Sequence, residues 1–240
     1  MTTVLTLLFL FMIGACGGWV LELFFRRIFT AKRWINPGFL VGPYLPLYGF
    51  GLTSLYVMSR IDMSFITNIY LQKSVLIIVM ALIVTIIEYI AGLIFIKGLH
   101  VKLWDYTNRW GNIQGLVCPL FSFFWLVACA AYNLLADKYI VSLSSWFKNN
   151  IAFSFFVGMF VGIILIDCFY SFHVAAKIKA IAEEKRIVVK WEAFKEEIAE
   201  RNEKTKEKVS FLLPFKSLTP FKEHIESYIE KHKLTKKETK

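Results

Sequence analysis

From residue 3 to residue 21 the chain carries no charged side chain, and the same scarcity of charge recurs four more times. The stretches 3–25, 39–58, 74–97, 116–136 and 151–173 are each close to the ~20 apolar residues that a helix needs to cross a bilayer core. A backbone in hydrocarbon must satisfy its own hydrogen bonds, which for segments of this kind means helix. The sequence therefore predicts an all-α membrane protein, a bundle of about five transmembrane helices.

The second stretch fits that rule least well. Residues 34–51 are apolar yet hold three prolines and four glycines. A helix starting at Pro46 and ending at Met58 would span roughly 20 Å, short of the ~30 Å hydrocarbon core. The segment reads as Pro/Gly-broken and partly re-entrant, an interruption of the kind that points to a transport site. A helix that merely starts late, behind a Pro-rich interfacial loop, is the plainer alternative.

Charge divides the chain in two. Residues 174–240 hold 17 of the 28 Lys and Arg and 12 of the 18 Asp and Glu, so the sequence predicts a transmembrane domain over 1–173 and a charged tail over 174–240. The whole is 57% hydrophobic, above the roughly 45–50% of soluble domains. Cys16, Cys118, Cys129 and Cys168 lie in or beside apolar segments with no close pair, which suggests small buried residues and neither a disulfide framework nor a metal site. The run around Cys16 continues as Trp19-Val20-Leu21 with no preceding Lys or Arg, so the N-terminal segment is expected to stay as a transmembrane helix.

Orientation follows from the connections. Arg26, Arg27, Lys32 and Arg33 follow the first span, Lys97, Lys102 and Arg109 the third, and Lys177 and Lys179 the fifth; the alternate side has Arg60 and Lys73, then Lys138 and Lys148. The positive-inside rule places the N-terminus outside and the C-terminus in the cytoplasm, as an odd number of spans requires. Within the first span, Gly14-x-x-x-Gly18 offers a face for close helix approach. In the tail, Val174, Ile178, Ile181, Val188, Trp191, Phe194 and Ile198 recur as one apolar stripe on a charged helix. A second amphipathic stretch, Phe221, Ile225, Tyr228 and Ile229, follows a break at Pro214 and Pro220. The tail reads as a cytoplasmic helix continuing from the fifth span. Its mixed charge fits a lipid surface less well than a pure Lys/Arg cluster would, and no motif points to nucleic acid.

Ionisable groups inside spans are costly and are functional candidates by default. Glu22 has Arg26 four residues on, so the two can pair along one helix face that also carries Trp19. Glu88 lies just past the middle of the third span with no partner four residues away. Asp167, near the end of the fifth span, reads as an interfacial residue. A polar cluster follows the third span: Leu103-Trp104-Asp105-Tyr106-Thr107-Asn108, then Gly111-Asn112-Ile113-Gln114-Gly115, with Ser122 and Trp125 on one helix face beyond it. Trp104 and Tyr106 are also at home at a membrane interface. Packed against residues 36–42, this loop would form one polar pocket, with Trp19, Glu22, Arg26, Asn36, Gly38, Gly42, Pro43, Tyr48, Glu88, Trp104, Asp105, Tyr106 and Asn112 as the candidate site.

The combination Trp19-x-x-Glu22, Asn36-Pro37-Gly38-Phe39-Leu40-x-Gly42-Pro43-x-x-Pro46-x-Tyr48-Gly49-x-Gly51, Leu103-Trp104-Asp105-Tyr106-Thr107, and Gly115 with Ser122 and Trp125 resembles the bacterial integral-membrane family labelled putative ABC-transporter permease, type IV (CmpB-like). The resemblance covers residues 10–173. Pro37 and Leu116 depart from its pattern, standing where relatives often carry a basic residue. It implies a multi-pass protein of the bacterial inner membrane that moves a small molecule. Because the sequence has no G-x-x-x-x-G-K-[ST] phosphate loop, that reading calls for a separate cytoplasmic ATPase docked near residues 26–37 or 104–114. It also calls for a homo-oligomer or a partner permease to complete the pathway, and for no cofactor. Two other readings stand beside it. One is a membrane-embedded enzyme acting on lipid or isoprenoid carriers, with Glu22, Arg26 and Asp105 as base and phosphate clamp; the other is a non-catalytic scaffold or sensor.

Overall fold

The computed structural model describes residues 2–30, 34–185, 188–204, 223, 227 and 228. Lys32, Arg33, Pro214, Pro220, Phe221, Ile225 and Ile229, together with the side chain of Ile181, lie outside the described residues. The described chain is mostly helical. Helix α1 covers Thr2–Phe25 and widens into a π-helical turn at Arg26–Thr30. Helix α2 is Pro46–Met58 and α3 is Ile69–Leu99. Strand β1, Val101–Lys102, leads through an irregular loop to α4, Pro119–Ala131. A π-helical turn at Tyr132–Ala136 joins α4 to α5, Asp137–Asn149. The long α6, Ser154–Lys185, is followed by β2, Val189–Lys190, and α7, Trp191–Lys204. Pro46 and Pro119 each open their helix, where the missing N–H would have had no partner anyway.

Among the described residues, four helical stretches are long and apolar enough to cross a membrane: Thr2–Ile28, Ile69–Leu99, Pro119–Asn149 and Ile151–Ala180. The stretch 39–58 is helical only over the 13 residues of α2, because Pro37, Gly38, Gly42 and Pro43 keep the chain before it out of helix. Two boundaries differ from the sequence reading. Lys138 and Lys148 lie inside α5 rather than in a connection, since no Pro or Gly interrupts the chain from Leu120 to Asn149. The apolar stripe of 174–198 does not occupy one helix. It ends with α6 and resumes as β2 and α7, because Val189 pairs in parallel with Val101 and Lys190 with Lys102.

The chain forms two compact units, with α1, α3 and α6 contributing residues to both. The first comprises Met1–Gly18, Tyr44–Ala91 and Tyr106–Ile163. Its core includes a cluster of Met58, Met80, Ala81, Val84, Cys129 and Tyr132 and another of Phe9, Leu10, Phe147 and Val157. On α3 the apolar Leu82, Ile86, Ile90 and Ile94 stay exposed while Met80, Ala81, Val84 and Glu88 are buried. A helix that is apolar on both faces and covered on one is what lipid completes. The Gly14-x-x-x-Gly18 face is used: an added Cβ at Gly14 would sit 2.8 Å from the Tyr48 carbonyl oxygen and from Leu52 Cβ, and at Gly18 it would strike the Tyr48 ring. The Leu45 amide donates to the Ala15 carbonyl at 2.9 Å, so α2 starts tied to α1.

The second unit comprises Trp19–Pro43, Gly92–Asp105 and Ile164–Lys240. Its apolar centre is Phe39, whose ring lies 4.7 Å from Phe95 and 5.2 Å from both Phe172 and Trp191. Ala175, Ile178, Ala182, Val189, Trp191, Phe194 and Ile198 are buried, so the stripe read from the tail is covered in both of its parts.

The glycine face gives a sharp contrast between neighbours. Gly14→Ala should cost about 1–3 kcal/mol through overlap with α2, less up to ~1 kcal/mol of helix propensity. Gly17→Ala, with nothing within 4 Å of its added Cβ, should melt at the same temperature as the parent or higher. Thermal unfolding in detergent, followed by circular dichroism, measures both.

Candidate functional site

The residues singled out in the sequence fall into two constellations, one in each unit. The first is centred on Glu88, buried on the covered side of α3. Its Oε2 accepts from the Trp125 indole N–H at 2.9 Å, and its Oε1 from the Tyr106 hydroxyl at 3.2 Å. Both donors are neutral, and among the described residues no Lys or Arg is bonded to the carboxylate. Tyr106 stacks on Phe121 at 4.2 Å, and Tyr48 lies 5.9 Å from Trp125. A carboxylate lined by aromatic edges and faces is suited to a proton or to a positively charged group.

The loop that delivers Tyr106 is built by Asn112. Its side-chain amide donates to the carbonyls of Thr107 and Arg109 at 3.0 and 2.9 Å, and its Oδ1 accepts from the Gly115 amide at 2.9 Å. The Tyr106 amide in turn donates to the Gly115 carbonyl at 2.8 Å. Gly111 and Gly115 both have positive φ, 65° and 67°, a region that costs glycine little. Asn112 therefore shapes the loop that carries a site residue.

The second constellation surrounds residues 36–42. This backbone is neither helix nor strand, and side chains supply its partners. The Trp19 indole donates to Asn36 Oδ1 at 2.6 Å, and Asn36 Nδ2 donates across the turn to the Val41 carbonyl at 2.7 Å. Asp167 accepts from the amides of Val41, at 3.0 Å, and Gly42, at 2.7 Å, while the Ser171 hydroxyl donates to it at 2.9 Å. On the opposite edge the Lys195 ammonium donates to the carbonyls of Asn36, at 2.7 Å, and Gly38, at 2.9 Å; the Trp191 indole adds a bond to Gly38 at 3.1 Å. Gly38, at φ 85°, supplies the left-handed residue that turns the carbonyls toward those donors. One carboxylate on the amide edge and one ammonium on the carbonyl edge thus close the loop with no net charge between them.

The remaining sequence candidates lie around this loop's unit. Glu22 pairs with Arg26 at 2.9 Å. Asp105 lies between Lys102, at 2.6 Å, and Lys190, at 3.0 Å. Trp104 is partly buried and Pro43 exposed. Three residues gain a role that the sequence did not suggest. Asp167 was read as interfacial, although an acid inside a span is a candidate by default. Trp191 and Lys195 were read as tail, yet a lysine one turn beyond Trp191 interrupts the apolar stripe, and that interruption was the available signal. Beyond the loop, burial pushes the Tyr228 hydroxyl up to about 12; it stays protonated at neutral pH and accepts from the Lys190 amide at 3.3 Å.

Four helices of membrane-crossing length, with polar groups turned toward protein, define a helical membrane protein. The model of the family described as "Putative ABC-transporter type IV" matches residues 9–172, well over half of the chain, and the chain belongs to that family. No curated protein and no solved structure matches it. Trp19, Asn36, Glu88, Tyr106, Trp125 and Asp167 fall within the matched residues, whereas Trp191 and Lys195 fall outside them.

Asp167→Ala leaves two loop amides without their acceptor and should lower stability by about 2–3 kcal/mol. Asp167→Asn, which keeps one acceptor oxygen, should lose less. Thermal melts of the purified variants rank the three proteins.

Proposed function

We propose that the chain is the membrane component of an ABC-type transporter that moves a small molecule with an ATPase on a separate chain. The family supports this reading, and the sequence lacks a phosphate-binding loop of its own. The observation that carries it is Glu88. A carboxylate buried on the protein side of a membrane-length helix, held by two neutral donors, costs stability that a purely structural residue would not need to spend. Contact with a moving proton or cationic cargo accounts for it.

In this reading residues 34–58 make a fifth crossing as a broken segment, loop first and short helix after. The N-terminus is outside and the C-terminus cytoplasmic, and a second copy or another permease completes the pathway. The enzyme alternative needs Glu22, Arg26 and Asp105 as base and clamp. Glu22 and Arg26 are paired with each other, and Asp105 lies between two lysines, which favours transport.

Affinity purification of the solubilised chain should recover an ATPase, and Arg26→Ala or Asp105→Ala should lose it. Glu88→Gln should retain the ATPase while lowering transport-coupled ATP hydrolysis about tenfold or more, consistent with loss of a charged contact in a low-dielectric site. Recovery of the chain alone under every condition would turn the reading toward the enzyme.

A further inference from the structure

Glu88 meets two donors of different kinds. The Trp125 indole N–H, on Oε2 at 2.9 Å, can donate and cannot accept. The Tyr106 hydroxyl, on Oε1 at 3.2 Å, can do either. The two oxygens of the carboxyl group are therefore not equivalent. A proton placed on Oε2 would face the indole hydrogen, two donors opposed. Placed on Oε1, it becomes a donor to the Tyr106 oxygen, while Oε2 remains the carbonyl that the indole binds.

The same heavy atoms thus satisfy the acid in both of its states. Ionised, it accepts two hydrogen bonds; protonated, it accepts one and donates one, and the tyrosine hydrogen turns away. A cation would instead share the carboxylate with the positive ends of two donor dipoles. Among the described residues no Lys, Arg or His is bonded to Glu88. The titratable side chains of the surrounding elements are Tyr106 in the loop, Tyr48 on α2 beside Trp125, and Cys129 on α4 in the core cluster with Val84, one turn before Glu88. Tyr106 is half-buried at the start of a run exposed from Thr107 to Gly111, so the residue that reaches Oε1 also borders solvent.

We propose that Glu88 is a proton-binding site, loaded on Oε1 through the hydroxyl of Tyr106. On loading, a hydronium ion at the loop gives a proton to the Tyr106 oxygen as the tyrosine's own hydrogen passes to Oε1. The hydronium becomes water, the tyrosine keeps one hydrogen, and the carboxylate becomes the neutral acid. Unloading reverses these steps. Of the two residues bonded to Glu88, Trp125 cannot relay, because its N–H accepts nothing; it keeps Oε2 the carbonyl oxygen. The proton therefore enters and leaves on the Tyr106 side. The inference rests on the reading of Glu88 given above and narrows its ligand from a proton or a cationic cargo to a proton.

Infrared spectroscopy of the full-length chain in lipid bilayers, stepped in pH, follows the C=O stretch of a protonated carboxyl group. One such band should rise and fall reversibly and be missing in Glu88→Gln. Glu88→Asp, which shifts the band, assigns it if the first variant does not accumulate. Tyr106→Phe keeps the ring that stacks on Phe121 and removes the relay, so the band should grow about tenfold or more slowly after a pH step. Trp125→Phe removes the donor to Oε2 and should raise the frequency of the band, with less effect on its rate. A Glu88 that stays ionised, or stays protonated, at every pH where the chain remains folded would overturn the proposal. So would a Tyr106→Phe chain that takes up its proton as fast as the parent, or an unchanged frequency in Trp125→Phe. These readouts need no ATPase, so failure to recover one counts against the transport reading and not against the proton site.

Discussion

The amides of Val41 and Gly42 and the carbonyls of Asn36 and Gly38 are met by side chains, where helix or strand would have met them with backbone. A chain that leaves helix in an apolar setting must find such partners or lose several kcal/mol per group. Polar side chains of the second unit answer that need: Asp167 takes two amides, Asn36 bridges its own turn under the hold of Trp19, and Lys195 with Trp191 takes the carbonyls. The apolar side of the same loop is met by Phe39 among Phe95, Phe172 and Trp191. Trp191 therefore serves both sides at once, its ring packing on Phe39 and its N–H bonding Gly38.

The first unit solves a different problem. On its part of α3, burial of Met80, Ala81, Val84 and Glu88 on one side leaves Leu82, Ile86 and Ile90 for lipid. Placing the acid on the covered side avoids exposing a charge to hydrocarbon, but it requires donors from elsewhere. Trp125 comes from α4, and Tyr106 from a loop that Asn112 and two left-handed glycines fold back on itself. Close approach of α2 at Gly14 and Gly18 brings Tyr48 into the same unit's packing near Trp125.

Features that depend on neighbours in sequence are legible in the sequence alone. Pro46 opening a short helix, the glycine face of α1, the Glu22–Arg26 pair and the acid in the third apolar stretch all follow from spacing of four residues or fewer. Features that depend on long-range register are not. Nothing local pairs Trp19 with Asn36, or Asp167 with Val41 across 126 positions. The periodic stripe of 174–198 suggested one helix, because periodicity cannot show where a β-branched pair will leave helix to join a strand. Lysine is so common in the tail that composition does not mark the buried ammonium of Lys195, and only its place in the apolar stripe does.

Side chains, and Asp167 first among them, hold the non-helical loop. The most direct measurement is a dipolar-recoupling solid-state NMR distance in lipid bilayers, between the backbone nitrogen of Gly42 and the carboxyl carbon of Asp167. A hydrogen bond of ordinary length places these nuclei within about 4 Å, and that is the expected result. A separation beyond about 6 Å, with Gly42 showing helical chemical shifts, would contradict it.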